Sequence, residues 1–126
     1  MRYKKRQLEV LVQFSLSEGI LHTLEGSVSF QTGDAIVTAD TGESWVVLRS
    51  RFCEMYEPIE SSVLWQDGRY IKKPGFVTAE QQADKFKVVI TGGILHGNAG
   101  DWLVEDANKF QWIVSNSLFR ASYDPA

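Results

Sequence analysis

Residues 100–126 read GDWLVEDANKFQWIVSNSLFRASYDPA, and residues 33–59 read GDAIVTADTGESWVVLRSRFCEMYEPI. Both run Gly-Asp, an apolar segment, a turn, then Trp, Ser, Phe, Tyr, an acid and Pro at matching spacings. The register extends outward without a gap, because a shift of 67 positions lays residues 2–59 on residues 69–126. Identical pairs are Arg2/Arg69, Tyr3/Tyr70, Lys5/Lys72, Val10/Val77, Gly26/Gly93, Gly33/Gly100 and Asp34/Asp101. Seven more follow at Val37/Val104, Trp45/Trp112, Val47/Val114, Ser50/Ser117, Phe52/Phe119, Tyr56/Tyr123 and Pro58/Pro125. Ordinary composition gives about three or four such matches by chance, so the pattern implies a duplicated unit. Its expected boundaries are 1–59 and 69–126, with a linker over 60–68. The tripeptide ILH in EGILHTL and GGILHGN falls outside this register.

Each half has the same grammar. KRQLEVLVQF, with period-two alternation, and KPGFVTAEQ open as extended segments. Turns at SEG and QADK precede ILHT and KVVIT, and turns at LEG and TGG precede SVSFQ and ILHGN. DAIVTAD and SWVVLR read as a hairpin, as do DWLVED and FQWIVS. Ser50 and Ser117 then read as helix N-caps, the Phe and Tyr four residues apart share a face, and Pro58 and Pro125 end the helical turn. A half of this size buries only about 60% of its unfolded surface. The expected fold is therefore mainly β, two tandem repeats packed with pseudo-two-fold symmetry as a small barrel or sandwich-like body. Trp65 in IESSVLWQDG implies a docked linker, since a free one would expose a large apolar ring.

The composition narrows the function classes. The 126 residues include 13 Lys+Arg and 16 Asp+Glu, a net charge of −3 that provides no global attraction for nucleic acid or anionic lipid. A single cysteine, Cys53, cannot form an internal disulfide, and with two histidines it falls short of a zinc framework. The N-terminal MRYKKRQLEVLVQF lacks the apolar core of a signal peptide, and no run reaches membrane-spanning length. A cytoplasmic protein with no membrane role is expected.

The motifs KKPGFV, GDWLV and LFRASYDP in the second half, with YKKRQLEVLVQF, HTLEGSVSFQTGDAIV and RFCEMYEPI in the first, resemble the PGDYG family of small bacterial and phage proteins. The proline before Gly-Asp is Thr32 in one half and Ala99 in the other, and the aromatic after it is Ala35 and Trp102. The resemblance implies a fold unit and a bacterial or phage setting. It supplies no catalytic residue.

Asp34 and Asp101 could pair as acid and base, but a carboxylate behind a glycine more often accepts turn N–H groups. A duplicated fold needs such a residue in both halves, whereas a single active site needs it once. TGGILHGNAG is rich in glycine but lacks the helix start and Lys-Ser/Thr of a phosphate loop. His22 and His96 have no neighbouring ligand at metal-binding spacing, and Cys53 lies beside apolar Phe52. Arg2, Lys4, Lys5 and Arg6, echoed by Arg69, Lys72 and Lys73, raise single-strand nucleic-acid binding, against which the acidic total weighs. Features confined to one half are the better guide to function. They include Arg49, Arg51, Cys53, Glu54, Asn98 and Phe110, and above all Trp65, Trp102 and His96 as candidate binding residues. No catalytic residue, metal or cofactor is expected. The leading expectation is a non-enzymatic binding or accessory protein with an unknown protein partner or self-association. A small-molecule-binding or hydrolytic protein using His96 with Asp101 or Asp34 is the alternative.

Overall fold

The computed structural model describes residues 1–126 except Gln7 and Pro74. Pro74, part of the KKPGFV motif, thus lies outside the described residues. The first half runs β1 (Arg2–Lys5), β2 (Glu9–Phe14), β3 (Gly19–Thr23), β4 (Gly26–Phe30), β5 (Ala35–Thr38), β6 (Ser44–Val47), α1 (Arg49–Met55) and β7 (Tyr56–Pro58). The second runs β8 (Gly68–Lys72), β9 (Phe76–Gln81), β10 (Phe86–Ile90), β11 (Gly93–Gly97), β12 (Trp102–Glu105), β13 (Gln111–Val114), α2 (Asn116–Ser122) and β14 (Tyr123–Pro125). From β2 to β7 every element reappears with its bounds moved by 67 residues. Among the described residues the strands form three antiparallel sheets, none closed into a barrel, so the mainly β, sandwich-like architecture holds. Among the described residues no helix is long and apolar enough to cross a membrane.

The chain divides into two compact units. One comprises Met1–Arg6, Glu25–Ser27 and Pro74–Ala126. Its five-stranded sheet has the order β13-β12-β9-β1-β14, so the middle strands include β1 from the far end of the chain. Tyr3 lies opposite Val77 on one side and Pro125 on the other. The β10–β11 hairpin packs against β13. The other unit comprises Gln7–Leu24 and Val28–Lys73, with a sheet ordered β6-β5-β2-β8-β7. Here β8 is the inserted strand, and Tyr70 lies opposite Val10 and Pro58.

Period-two burial explains the strands. In β2, Val10 and Val12 are buried while Glu9, Leu11 and Gln13 are exposed, and β9 buries Val77 and Ala79 in the same way. The charged β1 (RYKK) and the three-residue β7 and β14 were not counted as strands in the sequence. Too few residues carried the alternation: in β1 only Tyr3 is buried, and its neighbours Arg2 and Lys4 point to solvent.

Each unit has an aromatic core. In the first, Trp102 stacks on Phe119 (centroids 3.9 Å apart, planes 7°), Phe119 stacks on Tyr123, and Tyr3 meets both Trp102 and Phe119 edge-on. In the second, Phe52 stacks on Tyr56, and Tyr70, Phe14 and Trp65 surround it. Burial holds the Tyr56 hydroxyl well above the usual tyrosine pKa, partly countered by the Trp45 indole N–H that it accepts at 3.3 Å.

The helix starts differ from the N-caps read in the sequence. Ser117 lies inside α2, whose cap is Ser115, accepting from the Leu118 N–H at 3.3 Å. Ser50 lies inside α1, whose cap position is Leu48 with no side-chain bond. There the Asp34 carboxylate takes over, accepting the Arg49 N–H at 3.0 Å and the Gln31 N–H at 2.9 Å. The preceding Gly33 adopts φ 90°, a conformation that L-residues resist, and so aims Asp34 at both donors. Asp101, behind Gly100 at φ 95°, accepts the Asn98 N–H at 3.0 Å.

Two stability tests follow from these contacts. A Cβ on Gly97 would enter the Phe86 ring packed across the hairpin, whereas one on Gly75 meets open space. Urea unfolding should therefore show Gly97→Ala destabilised by about 1–3 kcal/mol and Gly75→Ala within about 0.5 kcal/mol of the parent. Asp34 is buried, at 6% exposure, and Asp34→Ala leaves two backbone donors without their acceptor. The expected loss is about 1–3 kcal/mol, against no measurable change for the exposed Asp40→Ala.

Candidate functional site

The three residues singled out in the sequence fall in unlike settings. Trp102 is buried, with its indole N–H donating to Asn116 Oδ1 at 3.0 Å and its ring stacked on Phe119. Its polar atom is satisfied and its faces are covered, so it is a core residue of its unit. Trp65 is half-buried at φ 72°, packed on Phe14 and Phe52, with the Arg49 guanidinium 4.1 Å above the ring. Neighbouring Val63 and Leu64 remain exposed. His96 stands on the outward face of β11 opposite Lys87, while its backbone N–H donates to the Glu25 carbonyl.

Asp34 and Asp101 serve the turns described above, and Gln31, Arg49 and Asn98 supply the donors. Arg51 pairs with Glu54 at 3.5 Å across one helical turn, and Cys53 is half-buried beside them on α1. His22 points outward from β3. The glycines of TGGILHGNAG shape a hairpin and a turn leading into strand β12, with no helix N-terminus behind them. Phe110 follows the β12–β13 turn, where Asp106 Oδ1 accepts its N–H at 3.1 Å. Among the described residues no group of three His, Cys, Asp or Glu side chains could hold a metal ion.

The basic residues are also dispersed among partners. Arg2 lies 3.8 Å from the Phe76 ring centroid, Arg6 bonds Asp124 at 2.6 Å, and Arg69 bonds Glu9 at 3.2 Å. The Arg6 pair lowers the Asp124 pKa and raises that of Arg6 through the shared hydrogen bond. Lys72 is buried, its ammonium 5.9 Å from the Trp45 ring.

What the sequence reading passed over is the outward face of the β10–β11 hairpin. Alternation buries Val88 and Leu95 and turns Lys87, Val89, Ile94 and His96 outward. Val89 lies directly opposite Ile94, with exposures of 76% and 44%. Two β-branched side chains stand side by side in water, with the Lys87/His96 pair at their border. The signal was present in KVVI, where two apolar residues must fall on opposite faces of one strand.

Comparison with known proteins adds the family. No curated protein and no solved structure matches this chain. A family model described as PGDYG protein matches residues 26–124, from β4 to β14 and so through both halves. That span covers most of the chain, which therefore belongs to the PGDYG family.

Proposed function

We propose that this protein is a non-enzymatic binding or accessory protein that acts through protein contacts, with the outward face of the β10–β11 hairpin as the contact surface. The observation that carries this reading is the exposed cross-strand pair Val89/Ile94. Apolar side chains at the centre of a small face with Lys87 and His96 at its border match the arrangement of protein interfaces, apolar within and polar at the rim. The site aspartates hold backbone turns, which favours this reading over a hydrolytic one. In the same proposal the two halves are tandem copies of one ancestral unit, and the setting is the cytoplasm of a bacterium or a phage-infected cell. The recurrence of element bounds at one offset supports the duplication, and the family resemblance supports the setting.

The test is affinity capture from bacterial lysate with the full-length protein and with a Val89→Lys/Ile94→Lys variant. Leu16→Lys, at a position 95% exposed in the other unit, serves as the control. At least one protein retained by the parent and by Leu16→Lys should drop at least tenfold with the hairpin variant. Equal capture of the same proteins by all three forms would remove the hairpin face from consideration.

A further inference from the structure

We propose that the slot between β9 and β14 is a strand-binding site whose partner is a second copy of this chain, which inserts its own Arg2–Lys5 segment there. The slot is occupied by an extended segment that pairs on both edges. Tyr3 stands opposite Val77 and Pro125, and Lys5 opposite Tyr123. The equivalent slot of the other unit, between β2 and β7, holds Arg69-Tyr70-Ile71-Lys72 in the same register. There Tyr70 stands opposite Val10 and Pro58, and Lys72 opposite Tyr56. Both slots therefore accept one short pattern, Arg-Tyr-x-Lys. They do so although one strand comes from the first residues of the chain and the other from its middle. Recognition rests on a two-sided backbone ladder and one inward tyrosine, a mode that works equally well between molecules.

Three contacts that dock β1 lie within its own unit. Lys5 N–H donates to Gly75 O at 3.0 Å, Arg6 N–H to Ser122 O at 2.7 Å, and the Arg6 guanidinium holds Asp124. A second copy's segment would make the same bonds, so the exchanged and closed forms differ little in contact energy. Only three positions separate the end of β1 from the start of β2, which belongs to the other unit. Short connections of this kind favour exchange of an element between identical chains. The tethered strand has an effective concentration on the order of millimolar, so the closed monomer prevails in dilute solution and exchange appears on refolding at high concentration.

Engineered cysteines test this in the full chain, with Cys53→Ser as background. Arg2 and Thr78 are exposed and directly opposite. They lie beside the bond from Ala79 N–H to Met1 O, hence at the narrower type of antiparallel pair that suits a disulfide. Chains carrying Arg2→Cys alone and Thr78→Cys alone are mixed, unfolded in urea, refolded together at high concentration and oxidised in glutathione buffer. The expected result is a covalent heterodimer at least tenfold more abundant than that formed by Arg2→Cys with Glu18→Cys, another exposed position. It should fall on dilution before refolding. Heterodimer at the control level, while a single chain carrying both substitutions closes its disulfide, would overturn the proposal; so would failure of that single chain to close. The hairpin face takes no part, and Val89→Lys/Ile94→Lys should leave the yield unchanged.

Discussion

Each five-stranded sheet depends on a strand that the chain supplies from its other half. Without β1, the ladder β13-β12-β9 would end at an open edge and β14 would lose its strand neighbour in the sheet. The same holds for β8 with β2 and β7. The inserted tyrosine makes the sheet and the helix interdependent, because Tyr3 touches Phe119 of α2 and Tyr70 touches Phe52 of α1. Burying a ring of this size contributes about 4 kcal/mol before entropy is counted. The helix is in turn fixed by its cap, from Ser115 in one unit and from Asp34 at a distance in the other.

Between the units an aromatic ring sits on opposite members of a cross-strand pair. Phe14 stands opposite Ala35 in one sheet, while Gln81 stands opposite Trp102 in the other. The aromatic is supplied by β2 in the first case and by β12 in the second, and both rings join the helix phenylalanine. The hairpins do likewise: Phe30 covers Gly19, and Phe86 covers Gly97. In each of these pairs one member carries the ring and the facing member leaves room for it, as close packing requires.

Much of this was legible in the sequence. Alternation in EVLVQF and FVTAEQ and turn residues at fixed spacing placed most strands and the region of both helices, but the helices end at Met55 and Ser122, so Tyr56 and Tyr123 open strands and share no helical face with Phe52 and Phe119. The insertion of β1 was not legible, because RYKK has one inward aromatic and two outward charges, a pattern shared by many solvated segments. The helix starts lie two residues before the serines read as caps: at α2 Ser115 competes with Ser117, and at α1 the cap position is Leu48, which carries no polar signal. Asp34 reaches its helix across a turn that sequence spacing does not reveal. Trp102 looked functional because Ala35 stands at its counterpart, and only the pairing of Ala35 with Phe14 shows where the missing ring went. The exposed pair Val89/Ile94 was hidden for the opposite reason, since its partners come from two strands and meet only once the hairpin register is known.

The central claim is that β1 is an integral middle strand rather than a loosely attached arm. Native-state hydrogen exchange tests it at the Lys5 amide, which donates to the Gly75 carbonyl at 3.0 Å. This amide should exchange only through global opening, within about tenfold of the slowest amides of β9. Exchange of Lys5 at the rate of an unstructured peptide, with β9 still protected, would contradict it.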